Sequence, residues 1–397
     1  MALSTESAPV AETDELRSRL RRLIEERLPA DYVGSFTGEA SAVETAEAFC
    51  RVLAAEQLLT LAWPEEYGGK AAGPWLQTVV REEMWSHFEP RGAQYMGVNW
   101  IGPVIMRHGT EEQKAQHLPR ISAGDVLWCQ GFSEPEAGSD LGSLRTTATP
   151  VEGGFRITGQ KVWTSYAPIA EWCFLLARLE GTAPGPGRDK RDGITVFLLR
   201  TDTPGFEVRP LDTLVGALHL NEMFFTDVFV PAEQVLGEVG NGWPIIMDVL
   251  AYERVGIARY AKCDRLLAEV REHIGDRWAE VPAGLRDRWS RALVRSRQAR
   301  LMAYRVVASQ DAGRVDPADV SAYRIAVTVL DQEASEVLME LAGAGVLSPG
   351  AEGDRLARTI EDHWRYALAG TVSSGTIEMQ RRSLARAIID SSAGGAR

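Results

Sequence analysis

Two stretches of the chain place small, hydroxylic and aromatic residues at spacings suited to holding a flat, charged ligand. The first, CQGFSEPEAGSDLGS at 129–143, reads as a strand end running into a turn of small residues, where backbone N–H groups and the Ser133 and Ser139 hydroxyls can face a ligand closely. The second, GQKVWTSYAPIAEW at 159–172, sets Trp163, a wide aromatic surface, beside the hydroxyls of Thr164 and Ser165. Together they suit a flat polar ring system and its phosphates, although each alone also passes as an ordinary strand with a capped turn. A third feature is Glu253, which falls inside an apolar stripe of Ile246, Val249, Leu250 and Ile257 at helical spacing. A carboxylate on that face needs a reason: chemistry, a structural pair with Arg254 or a bundle partner, or a side chain that reaches back to solvent.

Other chemistries lack their residues. The four cysteines, Cys50, Cys129, Cys173 and Cys263, stand singly without a CxxC pair, which argues against a disulfide framework or a cysteine zinc site. The six histidines form no HExxH, so no metal is expected and each reads as a surface or packing residue. A GxG reading of AGAGVLSPG around Gly343 and Gly345 fails because a helical stretch, not a strand, precedes it, and an interhelix turn fits better. Neither a P-loop nor a GxSxG elbow occurs.

The elements that position these residues follow from periodicity. At 397 residues the chain holds two to three domains of about 150 residues each, enough to bury large cores. Its 43 basic and 55 acidic residues leave a net charge of −12, the wrong sign for tracking a phosphate backbone, so nucleic acid is excluded as a partner. The start has no basic and apolar leader pattern, and no run of about 18 apolar residues follows, so a cytoplasmic protein without a membrane span is expected. A mobile N-terminus at 1–12 precedes a helical domain over 13–125, with Leu16, Leu20, Leu23, Ile24 and Leu28 tracing its first face. Between 126 and 238 the texture changes to seven short strands: 126–129, 154–157, 160–165, 172–178, 194–200, 206–210 and 222–230. They suggest a small barrel or sandwich. Helical periodicity returns over 239–390, broken near 275–284, 311–316 and 343–353, as four long helices would be; 391–397 reads as a mobile tail.

From WPEEYGG at 63–69 onward, order and spacing resemble the acyl-CoA dehydrogenase family. The resemblance is carried by GTEEQKAQHLPRISAGDVLWCQGFSEPEAGSDLGSL from Gly109 and by TGQKVWTSYAPIAEWCFLLAR ending at Arg178. It continues through LNEMFFTDVFVPAEQVLGEVGNGW at 220–243, LAYERVGIAR at 250–259 and SSGTIEMQRRSLARAII at 373–389. It implies an α+β multidomain fold: an N-terminal α-helical domain, a central β-barrel and a C-terminal four-helix bundle, with FAD between barrel and bundle. The implied reaction is α,β-dehydrogenation of an acyl thioester to a trans-2-enoyl product.

By the same resemblance, Gln130, Phe132, Ser133, Ser139, Trp163, Ser165, Thr376 and Glu378 are the cofactor-binding residues. Phe132 and Ser133 would meet the pyrimidine edge of the flavin, Ser139 the pyrophosphate, Trp163 the ring face and Ser165 the N5 side; Thr376 and Glu378 would lie beside FAD. The commonest family position for the catalytic base, directly before the GT of the C-terminal motif, is Ser374 here. A second branch places the base in an L-x-x-E-R pattern, matched by Leu250 to Arg254, which makes Glu253 the expected base with Arg254 shaping its surroundings. Expected partners are an acyl-CoA or carrier-protein-bound acyl substrate, an electron-transfer flavoprotein and further copies of the chain in a homodimer or homotetramer. The alternatives are a flavin monooxygenase or oxidase on the same scaffold, and a non-catalytic subunit of a heteromeric dehydrogenase. Two departures stand out: 271–291 lacks the Arg-x-x-Phe-Gly segment that reaches a neighbouring subunit's FAD, and the glycine turn ELAGAGVL lacks its usual Gln.

Overall fold

The computed structural model describes residues 10–34, 40–216, 219–255, 258–343, 354–373 and 375–394; of Val10, 251–255 and 391–394 it describes the backbone alone. The early helices are α1 (Val10–Arg27), α2 (Ala40–Ala55), α3 (Pro74–Ser86), α4 (Gln94–Met96), α5 (Gly102–His108) and α6 (Glu111–Ala123), with a π-helical turn at Gly97–Ile101. Strands β1 (Trp128–Gly131), β2 (Thr147–Val151), β3 (Gly154–Ser165), β4 (Trp172–Leu179), β5 (Ile194–Arg200), β6 (Phe206–Pro210), β7 (Leu220–Pro231) and β8 (Val235–Leu236) follow. The late helices are α7 (Trp243–Val255), α8 (Arg259–Ile274), α9 (Ala283–Asp311), α10 (Pro317–Ala342), α11 (Arg355–Ala369) and α12 (Ile377–Gly394). Among the described residues no helix is long and apolar enough to cross a membrane.

By contact the chain forms two compact units: Met1–Thr37 with Lys70–Pro90 and Arg254–Arg397, and Gly38–Gly69 with Arg91–Glu253. The helical stretch 13–125, read from sequence as one domain, is thus shared between them. The reason is electrostatic as well as apolar. Arg17 of α1 donates to Glu82 and Glu83 of α3 at 2.7 and 2.5 Å. Glu82 also accepts from Tyr260 of α8 at 2.9 Å and Tyr304 of α9 at 3.0 Å. These partners lie 65 to 222 residues away along the chain, beyond the reach of any local pattern. Helix α1 also begins at Val10 and α12 runs to Gly394, so helix extends into both segments expected to be mobile.

In the helical unit α10 packs against α8, α9, α11 and α12 around Leu266, Leu267, Val327, Leu330, Ala334 and Leu338, all buried. Pro317 opens α10 behind Asp316, whose carboxylate accepts from Ala318 N at 2.8 Å, an N-cap with proline at the first helical position.

The sheet unit holds eight strands in the order β6-β7-β3-β2-β4-β5-β8, with β1 beside β4. Among the described residues the end strands β6 and β8 do not pair, so the barrel-like sheet is not closed. Strands β4 and β5 are buried almost throughout, which their continuous apolar runs require. Helix α6 covers the Trp172 side, where His117 packs edge-on to Trp128 and Trp172. Its own ends are locally written: Thr110 and Gln113 form a reciprocal capping box, and Gly124 closes it at φ 75°. Gln113 also donates to the Glu233 and Val235 carbonyls, both at 2.8 Å, fastening α6 to the β8 edge. The segments read as separate strands at 154–157 and 160–165 are one strand, β3, whose pairing with β7 shifts register twice, with the extra residue on β7 beside Gly159 and on β3 after Lys161. Gly159 permits this: a Cβ there would lie 2.6 Å from the Thr146 hydroxyl.

Candidate functional site

The residues singled out near 130 and 163 meet at the junction of β1 and β3. Thr164 donates its hydroxyl to the Gln130 carbonyl at 3.2 Å, Val162 N donates to the Ser133 carbonyl at 2.9 Å, and Lys161 Nζ donates to the Phe132 carbonyl at 3.1 Å. The exit of β1 is therefore stitched residue by residue to the second half of β3.

Between those stitches β3 bulges. Lys161 pairs with Met223 and Thr164 with Asn221 on β7, so β3 carries one more residue than β7 across that interval. Trp163 sits in it at φ 65°, with 59% of its surface exposed. A left-handed backbone at a bulky residue costs about 1–2 kcal/mol, and an open indole loses apolar burial besides. Strain of this kind concentrates where a side chain is aimed at a ligand. Asn221, fully buried, holds the next residue by donating to the Thr164 carbonyl at 3.0 Å.

Beneath this face lie two residues that the sequence reading passed over. Lys161 is fully buried and donates to Glu134 at 2.8 Å, while Glu134 also accepts from the backbone N–H groups of Arg145 at 2.6 Å and Thr146 at 2.9 Å. Burial works to raise the Glu134 carboxyl, but the Lys161 ammonium and these hydrogen bonds outweigh it and hold the group below its ordinary range. Burial in turn lowers Lys161, against the pull of Glu134. A lysine in mid-strand was the available signal; Glu134 could not be told from its exposed neighbours Glu136 and Asp140.

The rest of the 132–146 segment is anchored by Arg178 on β4, whose guanidinium donates to five backbone carbonyls: Gly142, Leu144, Thr182, Lys190 and Asp192, at 2.6 to 3.2 Å. All its donors are used, a structural clamp and not a free anion site. Asp140 pairs with Lys190 and accepts from Ser143 at 2.6 Å, beside the exposed Ser139.

Thr376 and Glu378 belong to the helical unit. Thr376 caps α12, its oxygen accepting from Met379 N at 3.2 Å, and Glu378 is exposed in the first turn, where a carboxylate suits the helix dipole. Glu253 and Arg254 lie on α7, with their side chains outside the described residues; Ser374 and Gly345 lie outside the described residues altogether. The helical unit also buries Cys263, Asp331 and His363 with their ligating atoms within 4.8 Å of one another. The sequence had read the histidines and cysteines as isolated; the fold brings one of each beside an aspartate. Asp331 is already engaged by Arg259 at 3.4 Å and feels Lys262, and burial pushes the Cys263 thiol well up. A cation would have to displace two resident positive charges, so the cluster reads as an ion-pair core.

Comparison with known proteins decides the family. Residues 11–125, 129–228 and 240–389 match the acyl-CoA dehydrogenase N-terminal, middle and C-terminal domain models in that order. The acyl-CoA dehydrogenase IpdE1 of Mycobacterium tuberculosis is 31% identical over 390 residues, covering 95% of this chain and 97% of the relative. The chain belongs to the acyl-CoA dehydrogenase family. The acyl-CoA dehydrogenase FadE34 of the same organism is 40% identical over 296 residues, 74% of this chain, and the match spans only 40% of FadE34. Among solved structures, the Tcur3481-Tcur3483 steroid ACAD superposes with a TM-score of 0.87 at 30% identity, covering 97% of this chain and 98% of that one.

An acyl-CoA dehydrogenase of this family is an oxidoreductase that uses FAD, and the donor set at the β1/β3 junction suits a flavin. Gln130 Nε2 is buried without a partner, a cost of about 1–3 kcal/mol that a ligand acceptor would remove. Ser133 and Ser165 are half-buried, and the exposed Trp163 indole offers the face a planar ring needs.

Proposed function

We propose that this acyl-CoA dehydrogenase performs α,β-dehydrogenation of an acyl-CoA whose acyl group is ring-bearing and steroid-derived. The observation that carries the reading is the strained, exposed Trp163 on the same β1/β3 junction as the buried, unpartnered Gln130 Nε2. The substrate class rests on similarity to the Tcur3481-Tcur3483 steroid ACAD. When bound, FAD supplies the two-electron acceptor that takes the β-hydride.

The chain's own residues do the remainder. Gln130, Phe132, Ser133 and Ser165 orient the ring and offer donors to its polar edge, Trp163 covers its face, and Ser139 lies toward the phosphates. Thr376 and Glu378, at the head of α12, complete the cofactor set. Glu253 removes the α-proton, and Arg254 shapes its surroundings. The assignment of Glu253 rests on the L-x-x-E-R pattern from Leu250 to Arg254.

An electron-transfer flavoprotein then accepts the electrons. Self-association uses the helical unit, where Val294 and Leu301 of α9 and Ile389 of α12 are 56%, 67% and 66% exposed.

Anaerobic titration of the yellow holoprotein against short, branched and steroid-derived acyl-CoAs tests the reading by flavin bleaching. Bleaching is expected with the steroid-derived thioester, and Glu253→Gln should remain yellow and folded while losing roughly 10³-fold or more in bleaching rate. Near-normal bleaching in Glu253→Gln would reject the base. Bleaching by short chains alone would reject the substrate class.

A further inference from the structure

We propose that the buried Lys161–Glu134 pair is a positioning device for the flavin face: it sets the register between the β1 exit and the Trp163 bulge. The proposal rests on the reading of Phe132, Ser133 and Trp163 as cofactor contacts.

The argument begins with the bulge. Between Lys161 and Thr164 the pairing of β3 with β7 loses its register, so β7 does not determine where Val162 and Trp163 point. Their placement comes instead from the other side. Val162 N is held by the Ser133 carbonyl and Thr164 by the Gln130 carbonyl, and Lys161 at the head of the bulge reaches both Phe132 O and Glu134 Oε1. A residue at φ 65° persists only where its surroundings over-determine it, and these bonds supply that constraint.

Glu134 carries the constraint further. Its second oxygen and a shared lone pair of the first accept from Arg145 N and Thr146 N, so the pair closes the 132–146 segment on itself just before β2. Thr146 is the residue that packs against Gly159, where β3 shows its other register shift. A hydrophobic pair in the same volume would replace the charges themselves at little cost, because a buried ion pair is seldom worth more than packed side chains, although it would strand the two N–H groups. What it could not do is fix the Phe132 carbonyl and the two N–H groups at defined points. The charges therefore serve geometry, and the geometry serves Phe132, Ser133 and Trp163.

The test replaces the pair without leaving a lone buried charge. Lys161→Met/Glu134→Leu removes both charges together, and Lys161→Met/Glu134→Gln does so while keeping one side-chain acceptor for the backbone N–H groups. Lys161→Met/Glu134→Leu strands the Arg145 and Thr146 N–H groups, so its apoprotein should melt below the parent; at a temperature where it is folded it should bind FAD roughly tenfold more weakly. At full occupancy it should also show altered visible circular dichroism of the bound flavin, a signature a merely structural pair would not move. Lys161→Met/Glu134→Gln should fall between it and the parent. Trp163→Ala, run in parallel, reports on the underlying reading. If it changes flavin affinity and dichroism while both pair variants match the parent, the positioning role is wrong and the face is right. If Trp163→Ala leaves both unchanged, the flavin face itself is misplaced.

Discussion

In the sheet unit, Lys161 has two acceptors and Glu134 three donors, so a pair buried at 0% and 6% exposure leaves no charged oxygen unmatched. In the helical unit, Arg259, Asp331, Cys263 and His363 are buried as deeply, yet Arg259 meets Asp331 at 3.4 Å, its Nε has no hydrogen bond, and His363 Nδ1 comes only to 3.7 Å from Asp331 Oδ1. Arg259 also lies over the Tyr366 ring at 5.2 Å, and Gly370 leaves it room, since a Cβ there would lie 2.2 Å from Nη1. The first cluster defines positions through short, directed bonds. The second balances charge at longer range within a packed bundle. One is built to hold a strand end in place, the other to keep helices together.

The most severe way to break the comparison is to remove one charge from each cluster. Glu134→Ala leaves Lys161 buried alone and strands two backbone N–H groups, and is expected to cost about 3–5 kcal/mol or more in denaturant unfolding. Asp331→Ala leaves Arg259 and Lys262 without their counter-charge and should cost about 3–5 kcal/mol by the same measurement. If the helical cluster is the looser one, Asp331→Asn should recover part of that loss, because an amide still accepts at 3.4 Å. Glu134→Asp should recover little, since a shorter side chain cannot reach three donors at once. Equal recovery in both would erase the distinction.

How much of this was legible depends on distance along the chain. The apolar runs of β4 and β5 are local, and the sequence reads them as strands at 172–178 and 194–200; the capping box at Thr110 and Gln113 and the proline starts of α3 and α10 are local too. Strand β2 escapes because Pro150 interrupts TATPV, and β8 because two residues carry no period. The open sheet and the sharing of the early helices between units depend on which edges and faces meet, information spread over hundreds of residues. The site divides in the same way. Ser133 and Trp163 stand out by type and spacing and Phe132 only through the family resemblance, whereas Lys161 and Glu134 are 27 positions apart and Arg259 and Asp331 72. Nothing in either pair's surroundings names its partner.

A milder probe uses acid. In the sheet unit burial lowers His117 and His219 to about 4; in the helical unit it lowers His87 to about 4 and His363 to about 3. Below the ordinary value of 6.5 the unfolded chain takes up protons that these folded imidazoles refuse, so stability falls as pH drops from 6.5 towards 4. Asp362, pushed up to about 6 by burial, acts in the opposite direction in the helical unit, since there the folded state holds the proton. Between pH 6 and 4 the sheet unit therefore loses about 2.7 kcal/mol per pH unit from its two histidines, and the helical unit about half that. Hydrogen exchange followed across this range should show β4, β5 and α6 losing protection before α8 and α10. His117→Gln should flatten the sheet unit's slope by about one half.

The smallest effect bears on whether Trp163 is strained for a purpose. At most strand positions glycine is less stable than alanine, because the unfolded chain gains freedom. At φ 65° the order should reverse: Trp163→Gly and Trp163→Ala lose the same indole contacts, but only alanine keeps the left-handed penalty. The glycine variant of the apoprotein is then expected to exceed the alanine variant by about 0.5–1 kcal/mol, while both bind FAD weakly. A strand residue whose removal relieves the backbone and impairs the ligand together is one that the fold tolerates and the cofactor requires. Alanine ranking above glycine would mean that the bulge is relaxed without the strain. In that case the constraint exerted by Lys161 and Glu134 would have nothing to oppose.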